Sequence, residues 1–379
     1  MTDQQKYKKF ILLYFCLIFI SSIIILFDKF LYPTDWTTSE WLINYQGGFI
    51  RRGLIGEILI QINKFINTNP RYLVYVFEIF SLFIFYLLSY KLISKLEINL
   101  ILLVILFSPI SFIFPLSDPE SLGRKELILF CIYIFYINSL IEKNENKVLF
   151  IITILLPIMF LIWDGAIIVL PFFYFFYIYS KKAINIKKII LSLLTFAPSL
   201  ITILILFNTN ISEENLKLMC ESFNEDCFAG ILFANQSVQN NINYVSNQFE
   251  IEYLYTYILI FALSFLPIIF CNAFSKLGYK NIILLICLMP MLPLFYIASD
   301  WGRYMHIFYI FYLFSTIYFI KNENLKVINP SSKIFKNKFY FKVLVFIYLF
   351  SWYPKSIMTD DIGSLPYLRI VDRLFEVFF

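Results

Sequence analysis

The chain has 379 residues, of which 60% are hydrophobic, 20% are aromatic and only 15% are charged. A soluble globular domain carries about 25% charged and about 45–50% apolar residues. A soluble fold of this length cannot hide so much apolar surface, so the composition excludes a soluble enzyme. The net charge is +5, but the placement of the charges along the chain is more informative than their sum.

The apolar residues fall into runs of about 15–20 residues with almost no charge, and such runs predict membrane-spanning helices. We therefore expect an all-α polytopic membrane protein, with one integral-membrane domain over residues 1–379 and amphipathic helices at the outer surface. The eleven predicted spans are 10–27, 73–90, 98–116, 127–141, 148–163, 165–179, 189–207, 253–274, 282–298, 307–320 and 339–353.

The charged residues predict the orientation of the chain. Lysines flank alternate ends of the spans, and the positive-inside rule then places the N-terminus in the cytoplasm. In that topology every arginine lies on the outer side, whereas most lysines lie inside. Arginine is the residue suited to bidentate contacts with carboxylate and phosphate, so the outer arginines indicate where a site lies.

The first long outer loop, residues 28–72, contains the string GGFIRRGLIGE. Apolar residues recur at helical spacing over 54–66, with Glu57 on the opposite face, which predicts an amphipathic helix lying in the membrane interface. Arg51 and Arg52 precede that helix, where its dipole favours anions. We expect an anion site here; the alternative is an anchor for lipid headgroups.

A second outward motif is SDPESLGRKE, residues 117–126. Asp118 fits an N-cap and the following proline fits the first helical position, so the next helix is expected to begin there. Arg124 and Lys125 would then lie one to two turns into the helix, near Asp118 and Glu120, in a paired, water-lined pocket. The alternative is a well-capped helix with an ion pair between Glu120 and Arg124.

A third feature is Asp164 in FLIWDGAIIVLP. One helix over residues 148–179 would measure about 48 Å, too long for a hydrocarbon core of about 30 Å. We therefore expect two short helices with a break at Trp163, Asp164 and Gly165, just below the outer surface. An acid at that depth is a candidate functional residue; the alternative is a structural hydrogen bond.

The fourth motif is SDWGRYMH, residues 299–306, in which Asp300, Arg303 and His306 share one helical face. His306 is the only histidine, and its unperturbed pKa suits proton transfer near neutrality. A structural histidine and a buried ion pair between Asp300 and Arg303 are the alternatives.

A second outer loop, residues 208–252, holds Cys220 and Cys227, which are candidates for a disulfide in an oxidising compartment. Two free thiols are the alternative. No nucleotide-binding or metal-ligand motif occurs, so the sequence predicts neither a metal nor a cofactor, and no nucleic-acid partner.

The four charged motifs lie far apart in sequence, and all reach the outer face in the predicted topology. A cavity that they line suits a ligand with a lipid tail, a phosphate and sugars. Arginine would stabilise the charge that develops on a departing diphosphate, and an acid or His306 would accept the proton of a hydroxyl.

The strings GGFIRRGLIGE, DPESLGRKE and SDWGRYMH, on a chain of many spans, resemble membrane proteins of bacterial surface-polysaccharide clusters. The chain resembles Wzy-type O-antigen polymerases, and more broadly the C-type integral-membrane glycosyltransferases. The resemblance implies joining of undecaprenyl-diphosphate-linked oligosaccharide repeats at the periplasmic face of the inner membrane, without a nucleotide sugar. It implies site arginines Arg51, Arg52, Arg124 and Arg303. The loop 208–252 departs from the pattern because it contains no arginine.

The resemblance also implies the lipid bilayer as surroundings, and a chain-length regulator and a flippase of the same pathway as partners. The main alternative is a transferase that moves one sugar from a polyprenyl-phosphate donor, in which Asp35 or Glu57 of the first outer loop would be the catalytic acid. A flippase or exporter would require internal repeats and several charged residues in the middle of its spans, whereas this sequence has only Glu78 there and no repeat. A structural assembly partner would not require clustered arginines.

Overall fold

The computed structural model describes residues 2–33, 35–181, 185–207, 209, 212–223, 229–232, 237–269, 277–325 and 338–378. These residues are predominantly helical, and the extended pairing among them is an isolated bridge between Tyr353 and Gly363. For the described residues, the predicted all-α fold is confirmed.

The α-helices in chain order are α1 (Asp3–Leu31), α2 (Glu40–Leu42), α3 (Leu54–Ile66), α4 (Pro70–Ile93), α5 (Leu100–Leu106), α6 (Phe114–Ser117), α7 (Glu126–Ile141), α8 (Glu145–Phe150), α9 (Leu156–Ile162), α10 (Leu170–Ser180), α11 (Ile186–Thr195), α12 (Ala197–Phe207), α13 (Glu213–Glu221), α14 (Ala229–Leu232), α15 (Val238–Gln248), α16 (Ile251–Ile269), α17 (Tyr279–Leu288), α18 (Leu294–Ile297), α19 (Trp301–Asn322), α20 (Lys338–Phe350) and α21 (Pro366–Phe378). Short π-helices cover Asp35–Ser39 and Ile151–Leu155, and 3₁₀ turns cover Pro119–Ser121, Asp164–Val169 and Met289–Met291.

Five helices in the described ranges are long and apolar enough to cross a membrane, and a bent pair makes a sixth candidate. The five are Asp3–Leu31, Pro70–Ile93, Glu145–Ile162, Ile251–Ile269 and Tyr279–Ile297. The bent pair joins residues 189–195 and 197–207 at an angle of 59°. These helices expose large apolar side chains, such as Leu204 and Phe207 of α12, which a bilayer accommodates and water does not.

The chain divides into two compact units. The first comprises residues 1–25, 86–122 and 241–379, and the second comprises residues 26–85 and 123–240.

The core of the first unit is α19, whose residues 309–320 are all buried. This helix is apolar around its whole circumference, as expected for a helix enclosed by others. Phe314 contacts Phe112, with ring centroids 6.3 Å apart, and the Tyr309 hydroxyl donates to the carbonyl of Ile105 at 2.8 Å.

A loop of the first unit, residues 354–362, closes over the N-terminus of α19. The Tyr257 hydroxyl lies within hydrogen-bond distance of two of its carbonyls, those of Lys355 and Ile357. The amide of Gly302 donates to the Ser356 carbonyl at 3.1 Å. A Cβ atom at Gly302 would lie 1.9 Å from the carbonyl oxygen of Lys355, so this contact requires glycine in the motif SDWGRYMH.

The second unit holds α7, α9 and α10 around a buried aromatic layer. Tyr133 packs edge-on against Phe173 at 5.2 Å, and the Tyr136 hydroxyl donates to the Phe173 carbonyl at 2.6 Å. Nearby, α3 approaches the end of α2 so closely that a Cβ at Gly56 would lie 2.0 Å from the carbonyl oxygen of Ile43. This approach brings the turn before α3 beside α2.

Replacing Gly302 with alanine should destabilise the first unit by about 1–3 kcal/mol or more, because the added methyl group must displace backbone atoms. Thermal unfolding of the detergent-purified full chain would measure the loss. Ser299→Ala, three residues earlier, is the matched control and should leave the melting temperature nearly unchanged. Equal melting temperatures for Gly302→Ala and the wild type would contradict the close contact.

Candidate functional site

The second unit contains a cluster of charged side chains centred on Arg52. Its guanidinium contacts two carboxylates: Nη1 lies 2.9 Å from Oε1 of Glu40, and Nε lies 2.6 Å from Oδ1 of Asp164. Arg51 approaches the other oxygen of Asp164, with Nη1 3.5 Å from Oδ2. Two adjacent guanidiniums therefore share one carboxylate.

Two further cations lie on the other side of Glu40. Arg124 Nε is 3.8 Å from Glu40 Oε2, and its guanidinium lies 5.4 Å from the ring centroid of Trp36. Lys125 Nζ donates to the backbone carbonyl of Arg52 at 2.9 Å. We call these residues the arginine cluster; its members are Glu40, Arg51, Arg52, Arg124, Lys125 and Asp164.

Local backbone conformation places these side chains. Arg52 has φ +67°, in the left-handed region that residues with a Cβ rarely adopt. Gly123 has φ +72°, and a Cβ there would lie 2.4 Å from Oε1 of Glu78. The indole of Trp41 donates to the Gly123 carbonyl at 2.6 Å, which fixes the turn that carries the two cations of the 117–126 motif.

Asp164 reaches the cluster because the chain breaks before it. Helix α9 ends at Ile162, Trp163 is extended with φ −151°, and the 3₁₀ turn Asp164–Val169 follows. The structure therefore has the predicted interruption at Trp163, Asp164 and Gly165. Residue Asp164 also accepts a hydrogen bond from the amide of Gly165 at 3.1 Å.

The neighbouring cations stabilise the ionised form of both carboxylates in the cluster. Burial alone would raise the pKa of Glu40, but the charges of Arg124 and Arg52 outweigh burial and hold that pKa below its usual range. At Asp164, burial is likewise outweighed by Arg52 and Arg51, and the pKa is lowered. Both carboxyls therefore remain ionised at neutral pH.

The cations respond differently to the same surroundings. Burial lowers the pKa of Arg51, whereas at Arg52 the charges of Asp164 and Glu40 outweigh burial and raise the pKa. Burial lowers the pKa of the Lys125 amine to about 7, and the nearby carboxylate of Glu40 opposes burial only in part. Lys125 is thus the cluster member whose charge changes near neutrality.

The motif 117–126 differs from the expected helix start. Asp118 precedes only the 3₁₀ turn Pro119–Ser121 and makes no side-chain cap bond there, and α7 begins at Glu126. The predicted N-terminus at Asp118 is wrong because Gly123 turns the chain before the helix begins. Asp118 instead accepts a hydrogen bond from the amide of Ser356 at 2.5 Å, and Glu120 is exposed.

The motif SDWGRYMH lies in the first unit, at the start of α19. Arg303 Nη2 is 3.1 Å from Oδ2 of Asp300, so the ion pair that the spacing allowed is present. His306 is buried, its Nδ1 is 2.7 Å from the carbonyl oxygen of Ile110, and its ring packs on Phe114 at 4.9 Å. These contacts match those of a structural histidine.

The remaining predicted residues have other surroundings. Glu57 accepts hydrogen bonds from the amide of Tyr45 and from the side chain of Gln46, which tie α3 to the turn before it. The backbone of Asp35 begins a π-helix, and its side chain lies outside the described residues. Cys220 is disulfide-bonded. Cys227, its predicted partner, lies outside the described residues.

Glu40 is the cluster residue that the sequence did not single out. It is 3% exposed and contacts two arginines. The available signal was the position of this acid in the string DWTTSEW, between two tryptophans of the predicted first outer loop. A carboxylate in such surroundings requires a cationic partner, and the nearest arginines in sequence are Arg51 and Arg52.

The composition of the cluster suits an anionic ligand. Four cations face two carboxylates, and the described residues contain no group of three or more His, Cys, Asp or Glu arranged to hold a metal ion. The arginine cluster could therefore bind a phosphate or diphosphate through guanidinium forks.

The sequence profile of a family described as uncharacterised membrane protein Rv1490 matches residues 10–260. The chain belongs to this family and is a membrane protein. No curated protein and no solved structure matches the chain. The arginine cluster lies entirely within the matched residues, whereas the motif SDWGRYMH lies after them.

The second unit should lose stability in acid. The lowered pKa values of Glu40 and Asp164 mean that the unfolded chain binds more protons, so their stabilisation is complete above the ordinary values of 4.5 and 3.8. It is lost as the pH falls through those values toward the lowered ones. Thermal unfolding from pH 7 to pH 3 should show a steeper loss for the wild type than for Glu40→Gln. Glu120→Gln, an exposed acid, should behave as the wild type.

Lys125 predicts a second rise of stability with pH, in the alkaline range. Its pKa in the folded chain is about 7, against an ordinary 10.5, so the buried ammonium loses its proton at lower pH in the folded state than in the unfolded state. Stability should therefore rise between pH 7 and about pH 10. Lys125→Met should abolish this rise in melting temperature, and Lys64→Met, at an exposed lysine, should preserve it. An identical pH profile for Lys125→Met and the wild type would contradict the assignment.

Proposed function

We propose that the chain is a membrane-embedded glycosyltransferase whose donor sugar is linked to a polyprenyl diphosphate or phosphate. The observation that supports this most directly is the shared carboxylate: Arg51 and Arg52 both contact Asp164, and both remain more than a quarter exposed. A half-buried pair of guanidiniums beside apolar helices suits a ligand that is anionic at one end and lipidic at the other.

Exposure separates two classes of cation in the arginine cluster. The side chains of Arg51 and Arg52 are 29% and 28% exposed, whereas that of Arg124 is 6% exposed. The first two can contact an incoming phosphate. Arg124 acts through Glu40, which it helps to hold against Arg52.

The reaction would proceed as follows. An acceptor hydroxyl oxygen forms a bond to the anomeric carbon of the donor sugar while the bond from that carbon to the phosphate oxygen breaks. The electron pair leaves with the polyprenyl diphosphate, whose developing charge Arg51 and Arg52 stabilise. The proton of the hydroxyl passes to a carboxylate.

Asp164 is the carboxylate best suited to take that proton. Its side chain is 18% exposed, against 4% for Glu40. In the free protein, Arg52 and Arg51 hold its pKa low, which makes it a weak base. A diphosphate that draws these guanidiniums away would raise the proton affinity of Asp164, so donor binding would itself prepare the base.

Within this class, we propose polymerisation of undecaprenyl-diphosphate-linked oligosaccharide repeats at the periplasmic face of a bacterial inner membrane. The topology would comprise eleven spans with a cytoplasmic N-terminus. A flippase that supplies the repeats and a chain-length regulator would be partners. The lysine distribution and the resemblance of the three charged motifs support this finer proposal.

A single-sugar transferase using a polyprenyl-phosphate donor is the second candidate. The observation that favours it is Glu40, an acid of the first outer loop in direct contact with Arg52. Enzymes of that type, which the chain also resembles, place a catalytic acid in this loop. The two candidates differ in the product that an inactive enzyme would fail to make: the polymer of repeats for the polymerase, and the complete lipid-linked precursor for the single-sugar transferase.

The test uses a deletion strain of the source bacterium complemented with Arg51→Ala, Arg52→Lys or Asp164→Asn. Each variant should reduce polysaccharide ladders by at least about tenfold while the protein accumulates normally in the membrane. Arg52→Lys keeps the charge and loses the fork. Lys64→Ala, on α3 but outside the arginine cluster, and Arg369→Ala, on α21, are the controls and should give wild-type ladders.

The band pattern distinguishes the candidates. Collapse of the ladder to a single-repeat band supports the polymerase, whereas loss of one sugar from the lipid-linked precursor supports the single-sugar transferase. Complete precursor that accumulates on the cytoplasmic side would indicate a flippase instead. Wild-type ladders from all three variants would show that the arginine cluster is not the site.

A further inference from the structure

Lys125 is a basic residue of the arginine cluster, but its side chain is completely buried. Nζ lies 5.9 Å from the ring centroid of Trp41 and donates to the backbone carbonyl of Arg52 at 2.9 Å. A ligand that entered from solvent would meet Arg51 and Arg52 before Lys125. The contacts of Lys125 therefore suit a different role from that of the exposed guanidiniums.

The acceptor of its hydrogen bond is an unusual residue. Arg52 has φ +67°, which places its Cβ close to its own carbonyl oxygen and is much less favourable for arginine than for glycine. A return of Arg52 to the right-handed region would rotate its carbonyl away from Lys125. It would also redirect the guanidinium, which contacts Glu40 at 2.9 Å and Asp164 at 2.6 Å.

Lys125 is itself held firmly. The preceding turn is fixed by the hydrogen bond from Trp41 to the carbonyl of Gly123 at 2.6 Å, and a side chain at Gly123 would meet Glu78. A rigid turn in one segment therefore presents an N–H donor to a strained turn in another.

We propose that Lys125 is a positioning residue that holds the left-handed turn at Arg52 through its hydrogen bond to the Arg52 carbonyl. The consequence for anion binding rests on the proposed function. The role in the turn is independent of any substrate and can be tested without one.

The test compares the effect of Lys125→Met on thermal stability in three backgrounds: wild type, Arg52→Gly and Arg52→Ala. Glycine adopts a positive φ without strain, whereas alanine retains the strain, and both remove the guanidinium. If Lys125 holds the turn, Lys125→Met should lower the melting temperature in the wild-type and Arg52→Ala backgrounds, and much less in the Arg52→Gly background. Equal losses in all three would show that Lys125 only fills space or balances charge, and would overturn the proposal.

The same comparison tests the proposal if Lys125→Met does not fold. If Lys125→Met fails to accumulate in the membrane, the double variant with Arg52→Gly should accumulate, and the double variant with Arg52→Ala should not. Failure of both double variants to accumulate would overturn the proposal in the same way.

A second measurement follows the guanidinium directly. Phenylglyoxal modification of Arg52, followed by mass spectrometry of the full chain, should be several-fold faster in Lys125→Met than in the wild type. Arg369, on α21, is the internal control and should react at an unchanged rate. Unchanged modification of Arg52 in a folded Lys125→Met protein would also overturn the proposal.

Inorganic diphosphate separates this proposal from the proposed function. Its affinity for the wild type should be about tenfold higher than for Lys125→Met, and the effect of Lys125→Met should vanish when Arg52 is alanine, because Lys125 acts through Arg52. A wild type that does not bind diphosphate would count against the proposed function, while the stability comparison would still decide the role of Lys125.

Discussion

The arrangement of the second unit depends on one guanidinium that serves two carboxylates from separate segments. Arg52 joins Glu40 of α2 to Asp164 of the 3₁₀ turn after α9. Removing either acid leaves Arg52 with one counter-charge instead of two, and removing the arginine leaves two buried carboxylates without a cation that lowers their pKa. Buried ion networks of this kind are sensitive to the loss of any one partner, so the three segments are constrained jointly.

This constraint separates the roles of the basic residues. Arg51 and Arg52 keep part of their surface exposed, whereas Arg124 is enclosed beside Trp36 and Lys125 is fully buried. A ligand from solvent would reach the exposed members first, and in the proposals above the enclosed members orient that pair. Sequence alone assigns the four residues to one class, because exposure is a property of the packed structure.

The all-helical fold and the membrane character could be predicted from the sequence, since long apolar runs determine both. The eleven predicted spans are not confirmed: five helices of the described residues, or six with the bent pair, are long and apolar enough to cross a membrane. The break at Trp163 was predictable from helix length. Arg51 and Arg52 contact Asp164, whereas the motif SDWGRYMH, which was expected to line the same cavity, belongs to the other unit. The start of α7 at Glu126 was not predictable, because Asp118 and its proline suit a helix start but Gly123 turns the chain first. Glu40 was missed because its partners are near only in the fold.

Two adjacent arginines of one short segment bind the same carboxylate, that of Asp164. Successive side chains of an extended chain point to opposite sides, so neighbouring guanidiniums would normally diverge. The backbone at Arg52 is left-handed and not extended, and the two side chains contact different oxygens of the same carboxylate. Two adjacent residues of one segment therefore supply both cations that contact Asp164, and no second helix has to contribute one.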